Sequence, residues 1–329
     1  MYAIHLPLSL YGRQRKYVLF QKPIELVVSK IPYLYLIKNK LLRFLLILLS
    51  IALVSCTKDP ATFHLENLNN NEIGCFGHAG MGTESIYPIN CLKSLESCLG
   101  RGADGTEMDV QITKDSVLII LHGWNLDENT SCSGLIKDMN WSDMADCNRK
   151  AKFFNDIKII TFDEFIEKLP NPQEVYITLD CKATYGNFDQ SAYFKLFART
   201  IVKSLNKHQL GPRIFIENLD PGFLLAIKDL KPDANLFLLT DNFDYGMETV
   251  QKWGFWGLSM SNPSVTAEQV KQAHDKNIHV TIWGVWTEKE NYSAVEKCPD
   301  FIQTDDINYL LKIFGKYKKG NGYWYSLTK

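Results

Sequence analysis

Glu107-Met108-Asp109 and Leu121-His122 are the residues in this chain best suited to chemistry, because they bring two acids and an imidazole to neighbouring segments. Side chains two apart on a strand share a face, so Glu107 and Asp109 project together. The runs GTEMDVQI and SVLIILHG flank Thr113-Lys114-Asp115-Ser116. A hairpin centred on Lys114-Asp115 sets Glu107 opposite His122. Such a cluster is costly to bury without partners, and a divalent cation with an anionic ligand offsets that cost. Other apolar runs end in His78 and in Asp180 and Lys182. Carboxylate oxygens select hard cations such as Ca2+ or Mg2+, and imidazoles move protons near neutrality. Together these groups support charge neutralisation at an anionic centre with proton transfer to and from oxygen.

Short β-rich runs must position those residues: IGCFGH, GTEMDV, VLIILH, EVYITLD, RIFIEN, NLFLLT, FWGLSM, HVTIW and FIQT. VLIILH returns antiparallel from GTEMDV, so it reads as a hairpin arm outside the barrel. The remaining eight, alternating with helical segments, predict a single-domain (β/α)8 TIM barrel with a hairpin insertion at the second strand. Thr161-x-x-Glu164, Thr266-x-x-Gln269 and Thr287-x-x-Glu290 are capping boxes, and Asp220-Pro221 offers a cap with proline in the first turn. Tyr193, Phe194, Phe197, Ile201, Val202 and Leu205 form a core-facing helical stripe. A doubly wound open sheet is the main rival, but its GxGxxG signature is absent. Barrel chemistry sits at the carboxyl ends of strands, so His78, Glu107, Asp109, His122, Asp180 and Lys182 are expected at one mouth. The segment from Trp124 to Lys158 is long for a connection and is the expected seat of substrate selection.

Charge and cysteine usage narrow the class further. With 36 Lys and Arg against 37 Asp and Glu, the net charge of −1 argues against a nucleic-acid surface. Lys38, Lys40 and Arg43 precede the apolar run Phe44 to Val54, which fits a secretory segment and is too short to span a membrane. Leu53-Val54-Ser55-Cys56 resembles a bacterial lipobox, making Cys56 the lipidated mature terminus. Residues 1–55 therefore read as an upstream extension with a lipoprotein-type signal, 56–72 as a polar tether, and 73–329 as the barrel. The expected place is the bacterial cell envelope, with membrane attachment through the lipid anchor. Seven cysteines remain after Cys56, so at least one is free, and the lack of paired CxxC motifs speaks against zinc.

The ordered elements His78-Ala79-Gly80, Glu107-Met108-Asp109, His122-Gly123 and Asp180-Cys181-Lys182 resemble those of the glycerophosphodiester phosphodiesterase family. That family's pattern runs His-Arg-Gly, Glu-x-Asp, His-Asp and Glu-x-Lys. Gly102-Ala103-Asp104, Thr113-Lys114-Asp115, the stretch GLIKDMNW, Trp283 and Thr304-Asp305 add to the likeness, which covers roughly residues 73–312. It implies metal-dependent hydrolysis of a phosphodiester substrate to an alcohol and sn-glycerol 3-phosphate. Glu107, Asp109 and Asp180 would hold the divalent metal, His78 and His122 would serve as acid and base, and Lys182 and Trp283 would meet the substrate.

Three departures bear on that expectation. Ala79 stands where the family has a phosphate-binding arginine, and a methyl group has no bidentate contact to offer. Asp180 replaces a glutamate, one methylene shorter. Pro88-Ile89-Asn90 stands in place of Pro-Glu-Asn. The alternatives are a phosphatidylinositol-type lyase that forms a cyclic phosphate and a weakly catalytic, lipid-anchored binder of phosphodiesters.

Overall fold

The computed structural model describes residues 63–183 and 190–318. The expectations for the signal segment, Cys56 and most of the tether lie outside the described residues.

Eight parallel strands close on themselves: β1 (Gly74–Gly77), β2 (Gly105–Ile112), β5 (Tyr176–Cys181), β6 (Ile214–Asn218), β7 (Asn235–Leu239), β8 (Gly257–Ser261), β9 (His279–Val285) and β10 (Phe301–Thr304). Each pairs with its neighbour, and β1 joins both β10 and β2, which completes the (β/α)8 barrel. The eight runs are apolar almost throughout because each strand faces the barrel interior on one side and a helix on the other. All eight residues of β2 are buried.

The helices begin where the capping chemistry sets them. Thr161, Thr266 and Thr287 each accept from the backbone three residues on, while Glu164, Gln269 and Glu290 reach back. Asp220 caps the helix Pro221–Leu230 with proline in its first turn. In the helix Ser191–Lys207, Phe194, Phe197, Ile201 and Leu205 are buried as the stripe requires.

The barrel interior is layered. Phe76, Phe215, Phe237 and Phe301 form an aromatic plug, with the Phe215 and Phe301 rings 4.8 Å apart. Alternation along each strand then sets His78, Glu217 and Gln303 one layer higher than Phe76, Phe215 and Phe301. Parallel register aligns Asp109 with Asp180 and Asp180 with Glu217. Three adjacent strands therefore carry acids at one level.

The hairpin lies outside the barrel, as VLIILH predicts. β3 (Leu118–Ile120) pairs antiparallel with β2, and a two-residue strand β4 (Ile160–Thr161) extends it. Its register corrects the expectation. Val110 pairs with Ile120, so Asp109 faces Leu121 and Glu107 is not opposite His122. The turn holds three residues, Lys114 to Ser116, and Ser116 is left-handed at φ 62°, which slips the pairing by one position. His122 is exposed, two residues past the end of β3.

Between His122 and β4 the insertion packs Leu126, Ile136, Met144, Cys147 and Ile159 against Ile119 and Leu121 of the β3 arm, a small core apart from the main one. A Cys132–Cys147 disulfide closes it. Cys75, Cys91, Cys98, Cys181 and Cys298 are free.

Candidate active site

Glu107, Asp109 and Asp180 offer carboxylate oxygens that all lie within 4.8 Å of one another. Glu107 is 1 % exposed and Asp109 2 %. The Ala79 N–H donates to Glu107 Oε2 at 2.7 Å, while Glu107 Oε1 is buried with no partner. Burial and the neighbouring Asp109 charge push the Glu107 carboxyl well above its ordinary range. Asp109 is bound twice by Asn90: the Asn90 amide donates to Oδ2 at 2.5 Å, and the Asp109 N–H donates to Asn90 Oδ1 at 3.0 Å.

Lys182 bridges two of the acids, with Nζ 2.7 Å from Asp109 Oδ1 and 2.5 Å from Asp180 Oδ2. Burial works against its charge, but Asp180 and Asp109 outweigh that and raise its pKa. Burial also raises Asp109, and there the Lys182 and His122 charges win and lower it. Asp180 ends up raised, because burial and Asp109 exceed what Lys182 returns. The acids thus hold an internal cation, and their remaining charge, together with the unpartnered Glu107 oxygen, fits a hard divalent ion.

His78 stands at the top of β1, where its N–H donates to the Thr304 carbonyl at 2.9 Å. Its Nδ1 is 2.9 Å from Asp305 Oδ2, which leaves Nε2 directed to the acids, 3.9 Å from Glu107 Oε2. Burial opposes the charged ring, yet the Asp305 hydrogen bond and the Glu107, Asp305 and Asp109 charges raise its pKa to about 10. His122 is placed by its neighbours. Gln111, buried on β2, donates to the carbonyl oxygens of Leu121 and Gly123 on either side of it. Asn129 donates to the His122 carbonyl at 2.9 Å.

A cavity of about 200 Å³ opens beside these groups, lined by His122, Trp124, Asp180, Lys182, Asn218 and Leu219. A larger open groove of about 490 Å³ over Ile86, Arg149 and Phe153 contains none of the expected site residues. Trp283 lies on β9, half-buried, with its indole N–H buried and unpartnered, and it does not line the smaller cavity.

The acids, His78, His122 and Lys182 therefore gather at one mouth. Sequence reasoning assigned no roles to Asp305, Asn90, Gln111 and Glu217, which stand around them. Glu217 is 2 % exposed; burial and the Asp180 charge raise its pKa to about 7. A carboxylate inside the apolar run RIFIEN was the available signal for it. Asp305 and Asn90 lie far from their partners in the chain, so spacing alone carried no signal.

A family model described as the glycerophosphoryl diester phosphodiesterase family matches residues 78–309. A glycerophosphodiester phosphodiesterase of Bacillus altitudinis is 24% identical over 72% of this chain and 96% of its own length. Among solved structures, an Oleispira antarctica phosphodiesterase in complex with the product sn-glycerol-3-phosphate is similar at a TM-score of 0.65, with 18% identity, 73% of this chain and 96% of that one covered. A glycerophosphodiester phosphodiesterase from Parabacteroides distasonis is similar at 0.63, with 19% identity over 73% and 95%.

Proposed function

The chain belongs to the glycerophosphoryl diester phosphodiesterase family, and we propose that it hydrolyses a glycerophosphodiester to an alcohol and sn-glycerol 3-phosphate. The observation that carries this reading is the trio Glu107, Asp109 and Asp180, with one buried glutamate oxygen lacking a partner, His78 3.9 Å from Glu107 and His122 lining the cavity beside Asp180. Glu107, Asp109 and Asp180 would hold a divalent ion, Ca2+ or Mg2+, which supplies Lewis-acid neutralisation of the phosphodiester charge.

The chain's own side chains do the rest. Asp305 fixes the His78 ring by its Nδ1 and favours its charged form, so Nε2, facing the acids, is suited to deliver a proton to the leaving alkoxide. His122, at the rim of the cavity, is suited to take the proton from the attacking water. As the water oxygen bonds to phosphorus, the bond from phosphorus to the alcohol oxygen breaks and the alcohol leaves protonated. Lys182 contributes a fixed positive charge beside the phosphoryl oxygens, a role the absent family arginine leaves to it. Trp283, half-buried on β9 and outside the lining of the smaller cavity, would meet the substrate's apolar carbons only where these reach beyond that cavity.

Product identification by phosphorus NMR tests this. Glycerophosphocholine or glycerophosphoethanolamine incubated with the protein should give sn-glycerol 3-phosphate, and H122A should slow the reaction by about 100-fold or more. Accumulation of a cyclic phosphate, or binding with no turnover, would contradict it.

We also assign the protein to the bacterial envelope as a lipoprotein anchored through Cys56. The run Phe44 to Val54 before Cys56 supports this, and so does the Cys132–Cys147 disulfide, which suits an oxidising compartment.

A further inference from the structure

Arg149 sits on the insertion, two residues past the disulfide cysteine Cys147, yet its side chain is only 4 % exposed. The backbone holds it in place: the Arg149 N–H donates to the Ile157 carbonyl, and the residue forms a bridge with Thr130. Its Nη2 donates to the Ile89 carbonyl at 3.0 Å and its Nη1 to the Asn90 carbonyl at 3.3 Å. Among the described residues it makes no ion pair, and its Nε is buried without a partner. Burial pulls its pKa down to about 10, so it remains charged at neutral pH. A buried charge with no salt-bridge partner is expensive to keep. Its position explains why it is kept.

The residue it grips is Asn90, left-handed at φ 60°, a region asparagine adopts more readily than most other non-glycine residues. Asn90 in turn makes two hydrogen bonds with Asp109, its amide donating to the carboxylate and its Oδ1 accepting from the Asp109 N–H, beside the Lys182 contact. We propose that Arg149 is a positioning residue for the metal site: its grip on the Ile89 and Asn90 carbonyls fixes Asn90, and Asn90 holds Asp109 facing the cation. The insertion thereby takes part in building the acid cluster, which lies on a different segment of the chain. This inference rests on the metal-binding reading given above.

The experiment titrates EDTA-treated full-length protein with Mg2+ and with Ca2+ by calorimetry, alongside kcat, KM and melting temperature. R149M should raise the metal Kd about tenfold, the scale seen when a residue supporting a ligand is lost, and lower kcat with KM little changed. R149K, which keeps the charge and reaches one carbonyl, should recover part of both. R149M placed in the N90S background should weaken metal binding by less than a further twofold, because Arg149 acts through Asn90. If R149M only lowers the melting temperature, with Kd and kcat unchanged below it, the inference is overturned. It is equally overturned if the N90S and R149M effects multiply. Should R149M fail to fold, R149K decides by the same comparison with wild type: a Kd raised by about threefold supports the role, and an unchanged Kd removes it. A wild-type protein that binds neither ion overturns the metal-binding reading as well, so the two failures are distinguishable.

Discussion

At the scale of single residues, this chain manages its buried charges by giving each several partners, and Asp300 illustrates it away from the active site. Its carboxylate is fully buried and accepts from the Leu68 N–H at 2.8 Å, the Val280 N–H at 2.7 Å and His274 at 3.1 Å. Burial alone would raise its pKa, but the His274 hydrogen bond and the nearby His279 ring, 3.5 Å away, outweigh that and hold it at about 2. The folded protein therefore binds this proton later than the unfolded chain, whose aspartates titrate near about 3.9. The resulting stability, about 2 kcal/mol, is complete above that pH and is lost as pH falls through about 2. D300N should lower the urea midpoint at pH 6 and narrow the difference in midpoint between pH 6 and pH 3; an unchanged difference would refute this. Lys182 follows the same logic in the active site, where it compensates Asp109 and Asp180 from within the chain.

At the scale of elements, the insertion between β3 and β4 is the part that differs most from an ordinary βα connection. It packs a small core against the β3 arm, and its disulfide closes a loop with a sequence separation of 15. Removing the cross-link with C132S/C147S should cost about 3 kcal/mol at most by loop entropy. The melting temperature should fall in the oxidised protein and stay unchanged under reducing conditions, where wild type and variant become equivalent. A variant as stable as oxidised wild type would contradict it.

The barrel strands were legible in the sequence because each is an apolar run bounded by turn residues, and the three threonine capping boxes marked helix starts that the structure contains. The Glu107, Asp109 and Asp180 cluster was legible because alternation puts Glu107 and Asp109 on one face of β2 and a strand end places Asp180 beside Asp109. The hairpin register was not, since whether Ser116 turns left-handed decides between a two-residue and a three-residue loop, and sequence pattern leaves both open. Nor was Arg149: its partners lie about 60 residues upstream, and only the folded insertion brings it to them.

At the scale of the whole molecule, the barrel separates stability from chemistry. The Phe76, Phe215, Phe237 and Phe301 plug fills one level of the interior, and the acids and His78 occupy the next, toward the mouth. Among the described residues no helix is long and apolar enough to cross a membrane; the proposed lipid on Cys56 is tested separately. Cells fed labelled palmitate should yield labelled wild-type protein and unlabelled C56A; labelled C56A or unlabelled wild type would contradict the anchor. The central claim is that three carboxylates from β2 and β5 hold the ion on which turnover depends. Its most direct measurement is hydrolysis of glycerophosphocholine by EDTA-treated protein as Mg2+ or Ca2+ is restored, with E107Q in parallel. The account predicts no turnover without metal, recovery on titration, and a saturation point shifted to higher metal concentration in E107Q. Full activity in EDTA, or identical metal dependence in E107Q and wild type, would contradict it.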